Sequence, residues 1–207
     1  METAAPMEIA MPAADRKITA ADSMPAAEFG AERKARRAAL LPTKRLRRIS
    51  LGPCCTVYFE SFETMLFQIQ EMLLIEKGGA EQLADELAAY NPMIPQGAEF
   101  TCTLMFEIDD PDRRARVLAE LGGVEDHFFL EIDGGRAGAV QEGDIERTRE
   151  DGKTSSVHFL HFPLTPAQVD AFKAPNARVL IGCDHPKYAH LAVISDESRA
   201  ELAKDLA

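Results

Sequence analysis

Glu60, Glu63 and Glu71 fall within the stretch from Thr56 to Met72, together with Thr64 and Gln70. Carboxylates grouped in this way are the raw material of general acid/base work or of hard metal binding. On a helix Glu60 and Glu63 stand one turn apart, and Glu60 and Glu71 stand three turns apart along one side. A di-iron helix bundle would need Glu-x-x-His pairs on facing helices, and the chain contains no Glu-x-x-His. The competing reading is structural: Glu63 and Gln70 form a buried hydrogen-bonded network that ties this helix to the basic segment before Gly52, because buried polar groups need partners.

Histidine chemistry is sparse. His158 and His161 stand three apart in a predicted strand, so the period of two sends them to opposite faces and against joint metal ligation. Asp184-His185-Pro186-Lys187-Tyr188, with His190 close by, places an acid and an imidazole at a strand end before a proline-fixed turn. That group could hold a ligand or move a proton, or His185 could simply bond its own turn. Asn91, followed by Pro92 and Pro95, could line a cleft or serve as a rigid helix stop. Cys54, Cys55, Cys102 and Cys183 show no C-x-x-C pair and read as reduced thiols, mostly buried. The sequence has no glycine-rich nucleotide loop, phosphate-loop lysine or nucleophile elbow, and no cofactor is expected.

The elements that must position these residues follow from periodicity. Phe62, Met65, Leu66, Ile69, Met72 and Leu73 recur at helical spacing, while Phe67 and Leu74 flank Glu63 and Gln70 on the other side. The spacing predicts a helix covered on two sides. Before it, Cys55 to Phe59 reads as a strand, and Ala26 to Leu41 as a basic helix ended by Pro42. After it come a helix from Ala80 to Tyr90, a strand from Phe100 to Ile108 and a helix from Asp110 to Leu121. The runs His127 to Ile132 and Arg136 to Val140 flank Asp133-Gly134-Gly135 as a hairpin. Gln141 to Thr154 reads as a mobile loop. Ser156 to Phe162 is a strand, Thr165 to Phe172 a short helix, Ala177 to Cys183 and Ala189 to Ile194 a last strand pair, and Asp196 opens a final helix. Strands outnumber the helical crossovers that parallel pairing requires. The expected fold class is therefore α+β, a largely antiparallel sheet with helices packed against it. Residues 1–16 read as a disordered tail and 17–207 as one domain, with 17–51 a basic helical arm and 52–207 the body.

Charge is distributed unevenly. Of the chain's 23 bases, eight lie between Glu32 and Arg48 beside one of its 34 acids, which leaves 15 against 33, a net of −18, elsewhere. The eight are Arg33, Lys34, Arg36, Arg37, Lys44, Arg45, Arg47 and Arg48. Such an arm can dock on its own acidic body or reach an acidic protein partner. Nucleic acid is disfavoured, because the segment has no aromatic residue for base stacking and the rest of the chain repels phosphate. No run approaches the roughly 18–20 apolar residues of a membrane span. The first residues, with Glu2, Pro6, Glu8 and Pro12, lack the basic start and apolar run of a secretory signal, so the expected location is the cytoplasm.

Several local strings carry a resemblance: Arg47-Arg48-Ile49-Ser50-Leu51-Gly52-Pro53, Phe59-Glu60, Thr64, Phe67-Gln68-Ile69-Gln70-Glu71-Met72, Ala89-Tyr90-Asn91-Pro92-Met93-Ile94-Pro95 and His185-Pro186-Lys187-Tyr188. From about Lys17 to Leu206 the chain resembles a bacterial domain-of-unknown-function family, numbered thirty-five-oh-one. Members are often encoded beside a rubrerythrin-like protein and an iron–sulfur protein similar to heterodisulfide reductase subunits. The resemblance implies a role in electron transfer or peroxide handling and supplies no catalytic residues. The expected function is an accessory protein that works by contact with an iron–sulfur or rubrerythrin-like partner. Glu60, Glu63, Thr64, Gln70, Glu71, Asn91, His185 and Tyr188 are its candidate contact residues, and Arg33, Arg36, Arg37, Lys44, Arg45, Arg47 and Arg48 its docking arm. The alternative is a small cleft enzyme or metal-binding protein built on Glu60, Glu71 and His185.

Overall fold

The computed structural model describes residues 16–143, 148 and 152–207. The tail expected over residues 1–16, all but Arg16, and the centre of the loop expected after Gln141 lie outside them. The described residues gather into two compact units, each made of two stretches: those up to Arg45 with Ser61–Ile94, and Leu46–Glu60 with Pro95–Ala207.

The first unit is helical. Helix α1 spans Ala26–Leu46, α2 Phe62–Glu76 and α3 Gly79–Tyr90. α1 runs five residues beyond the expected stop, with Pro42 inside it. Pro42 costs one backbone bond, to the carbonyl of Ala38; both residues are exposed, so water can take that carbonyl. α2 starts where Ser61 caps the backbone N–H of Thr64 and the Thr64 hydroxyl returns the bond to the N–H of Ser61. Phe62, Met65 and Ile69 on α2 are buried, as their spacing predicts. Phe67 meets the edge of Phe29 from α1, ring centres 5.5 Å apart, so an apolar residue off that buried stripe is also covered.

The second unit is built on strands. A five-stranded sheet has the order β1 (Arg48–Leu51), β2 (Cys55–Phe59), β3 (Glu99–Phe106), β7 (Val157–Pro163), β6 (Val140–Gln141). A four-stranded sheet has the order β5 (Gly135–Gly138), β4 (Phe128–Ile132), β8 (Val179–His185), β9 (Tyr188–Val193). Every pairing between these strands is antiparallel, so the fold is α+β with two sheets in place of one. Alternation decides the inward faces. Val57, Phe59, Phe100, Cys102, Leu104, Leu160 and Phe162 from one sheet and Phe128, Leu130, Ile132, Val179, Ile181 and Cys183 from the other share a single core.

Two local readings change. Residues 48–51, at the end of the expected arm, form β1, hairpinned to β2 with Leu51 opposite Cys55. Gly52 makes that turn at φ +68, and a Cβ there would lie 2.5 Å from the His190 ring. The run Arg136 to Val140 is not one strand: β5 stays with β4, and after Ala139 the chain crosses to the other sheet as β6. Helices α4 (Pro111–Ala119), α5 (Pro166–Lys173) and α6 (Asp196–Leu202) begin with side-chain caps from Asp110, Thr165 and Ser195. A 3-10 turn, Ala203–Asp205, completes the C-terminal segment.

Candidate functional site

The candidate residues are distributed among separate structural tasks. On α2, Glu71 receives two hydrogen bonds from Arg33 of α1, at 2.7 and 2.6 Å. The Arg33 guanidinium holds its carboxyl below the ordinary value, against a smaller opposing push from burial. Gln70 donates to Ser23 at 2.7 Å, while Glu63 accepts from the Ser61 hydroxyl and so belongs to the helix cap. Gln70 thus ties α2 to Ser23 of the expected arm and Glu71 adds the tie to the basic helix, while Glu63 stays within its own cap. Thr64 sits in the capping box. Asn91 clasps the backbone of Ile18 through both ends of its amide, accepting at 2.7 Å and donating at 3.0 Å, which is a structural stitch.

In the second unit Glu60 accepts a 2.6 Å bond from Thr103 on the neighbouring strand. The Tyr188 hydroxyl donates to the carbonyl of Leu51 at 2.6 Å and accepts from the backbone N–H groups of Cys54 and Cys55. It thereby closes the β1–β2 turn, at the other end of β2 from Glu60. His185 is buried and its Nδ1 accepts from the N–H of Lys187, the turn-forming role weighed for it above. Burial first, then the charge of His127, lowers its pKa and keeps it neutral. Glu60, Glu71 and His185 thus each have a different partner. Among the described residues no three His, Cys, Asp or Glu side chains are grouped to hold a metal ion. All four cysteines are free thiols; burial raises the pKa of Cys55 and Cys102 and pushes Cys183 up to about 11.

The arm residues divide into engaged and open groups. Arg47 is 3% exposed and holds Asp205 through two 2.8 Å bonds, Glu201 at 3.2 Å and the carbonyl of Glu60 at 3.0 Å. Burial alone would loosen its proton, and the two carboxylates more than reverse that. Arg48 pairs with Glu107 and lies over the Tyr58 ring. Arg36 pairs with Glu32 one turn away. Arg37, Lys44 and Arg45, with Lys34, are exposed and have no ion pair among the described residues. Lys34, Arg37, Leu41 and Arg45 recur at i, i+3, i+7 and i+11, which is one face of α1, with Lys44 at its margin. Leu41, in the middle of that basic stripe, is 44% exposed.

Two constellations escape sequence reading. The sequence places His127 only at the start of a strand, but Phe128 pairs with Cys183, which puts His127 opposite Asp184; its Nδ1 lies 2.9 Å from Oδ1. Arg136 reaches the other oxygen of Asp184 at 3.2 Å while lying 3.8 Å over the Phe129 ring. On the other sheet His161 sits between Glu99, 3.0 Å from Nδ1, and Glu142, 2.6 Å from Nε2. The Glu142 oxygen is off the N–H line, so that contact is an ion pair without a hydrogen bond. Glu99 first, with Glu142 adding, raises the pKa of His161 against the effect of burial. The carboxylates hold opposite nitrogens of one ring, a geometry for clamping a proton and not for sharing a metal. Histidines near a strand start or within a strand are the available sequence signal; their partners depend on register, which periodicity leaves open.

An antiparallel two-sheet α+β protein whose candidate polar residues serve caps, turns and ion pairs defines a class by architecture, not by a reaction. The chain belongs to the family described as Protein of unknown function (DUF3501), whose model matches residues 17–206. Among solved structures it is similar to the crystal structure of a novel protein of unknown function from Burkholderia pseudomallei. That protein is 36% identical, with a TM-score of 0.85, over 92% of this chain and 100% of the other. No curated protein matches the chain. No helix among the described residues is long and apolar enough to cross a membrane.

Proposed function

We propose that this chain is a cytoplasmic accessory protein that works by contact, laying the open stripe of α1 against an acidic face of an iron–sulfur or rubrerythrin-like redox partner. The observation that carries the reading is the division of the basic residues. Arg33, Arg36, Arg47 and Arg48 have acidic partners within the chain, whereas Lys34, Arg37, Lys44 and Arg45 share an exposed region around Leu41. Four cations around one exposed leucine suit a protein surface that offers carboxylates and an apolar contact. Nucleic acid suits it less, because the stripe has no aromatic side chain and the whole chain carries −11. The redox character of the partner rests on the family resemblance alone.

The test uses purified iron–sulfur and rubrerythrin-like proteins from neighbouring genes, titrated with the full chain by calorimetry at two salt concentrations. Binding that weakens with salt, and that weakens at least about tenfold further in a K34E/R37E/R45E variant, supports the reading. No binding to either protein, or binding indifferent to that variant, overturns it.

A further inference from the structure

The two carboxylates at the His161 ring belong to different pieces of the sheet. Glu99, the first residue of β3, lies 3.0 Å from Nδ1 in hydrogen-bond geometry. Glu142, the residue after β6, lies 2.6 Å from Nε2, a nitrogen that is sealed from solvent and makes no hydrogen bond. Among the described residues these two are the charged groups that act on the ring. Its cross-strand neighbours, Thr101 on β3 and Val140 on β6, are uncharged, as are Phe159 and Pro163 on its own strand.

An imidazolium carries an N–H at each nitrogen and can serve both carboxylates. A neutral imidazole carries one N–H, and its other nitrogen presents a lone pair. At 2.6 Å from a carboxylate oxygen and away from solvent, that lone pair repels it. Loss of the ring's second proton therefore expels one carboxylate, and the strands determine which. Glu99 holds the aligned bond and begins an eight-residue strand that lies between β2 and β7. β6 is a two-residue strand at the edge of the sheet, and Glu142 beyond it donates a backbone bond of 2.9 Å to the carbonyl of Phe159. Just before β6, the N–H of Ala139 is tied to the carbonyl of Phe128 in the other sheet, which sets the limit of any movement.

We infer that His161 is a proton-operated latch on β6. Protonated, it draws Glu142 in and keeps β6 paired with β7. On giving one proton to solvent it keeps its remaining N–H on Glu99, and Glu142 swings out with Val140 and Gln141. The Phe159 carbonyl then loses its partner, and the edge of β7 opens. The raised pKa of His161 agrees with this, because the closed form holds the proton more tightly than the open one. The latch is closed below the ordinary histidine value of about 6.5 and opens as pH rises through the raised value.

Amide hydrogen exchange of the full chain from about pH 5 to about pH 9 tests the inference, with the His161 ring followed by NMR in the same samples. Exchange is expressed as protection factors, which remove the intrinsic effect of pH. Protection of Val140, Gln141 and Glu142 is expected to fall at least about threefold as His161 titrates, while the β3 amides hold theirs. E99Q frees the ring's single N–H for Glu142, and E142Q offers Nε2 an amide N–H to accept. In both variants β6 therefore stays protected on the alkaline side, whereas a simple structural ion pair would leave β6 weaker at every pH once either carboxylate is lost. Unchanged protection while His161 titrates overturns the inference, as does a ring that does not titrate in this range. So does opening of β6 at the wild-type midpoint in E99Q or E142Q.

Discussion

Replacing Arg47 with alanine takes from Asp205 and Glu201 the buried guanidinium that both of them hold. Burial works against the charge of Glu201, yet Lys204 and Arg47 bring its carboxyl below the ordinary value, so part of that hold is lost with the arginine. The expected cost is about 3–5 kcal/mol, measured by urea unfolding, because breaking a buried pair strands a charge. D205A should cost a similar amount, and the double variant less than the two together, which a double-mutant cycle reads directly. Y188F removes one hydroxyl that serves a carbonyl and two N–H groups, so a loss of about 1–3 kcal/mol is expected in the same assay.

At the scale of elements, His161 fastens three pieces of one sheet: Glu99 begins β3, His161 lies in β7 and Glu142 follows β6. Its pKa is raised in the folded state, so the stabilisation is fully present below the ordinary histidine value of about 6.5 and fades as pH rises through the raised value. Stability should therefore fall from slightly acid toward alkaline pH, and H161Q should flatten that slope when urea midpoints are compared across pH. A slope unchanged in H161Q would remove this account. The strands themselves were legible from alternation, and most boundaries fall within two residues of expectation. β1 was missed because four residues beginning with Arg48 gain their strand character from pairing with β2, not from composition. The division of β5 from β6 was hidden for a related reason: local pattern cannot tell which sheet a strand joins. Of the candidate site, the residue types were visible and the pairings were not. Arg33 and Glu71 are 38 positions apart and Arg47 and Asp205 are 158 apart, so their partnerships exist only in three dimensions.

For the whole molecule, the exposed stripe of α1 is basic while the chain carries −11 in all, so an acidic partner is attracted best in dilute salt. A titration of salt with the partner assay reads this directly: binding that stays level from about 0.05 M to about 0.5 M removes the electrostatic role of the stripe.

The distance along the chain between Arg47 and Asp205 also has a consequence during synthesis. The guanidinium leaves the ribosome 158 residues ahead of its counter-charge, and at about 5–20 residues per second that interval lasts roughly 8–30 s. Through that time the nascent β1–β2 hairpin carries an unmatched cation at its base. Its final packing waits for translation to reach the α6 segment, which makes the burial of Arg47 a late event in the birth of each molecule.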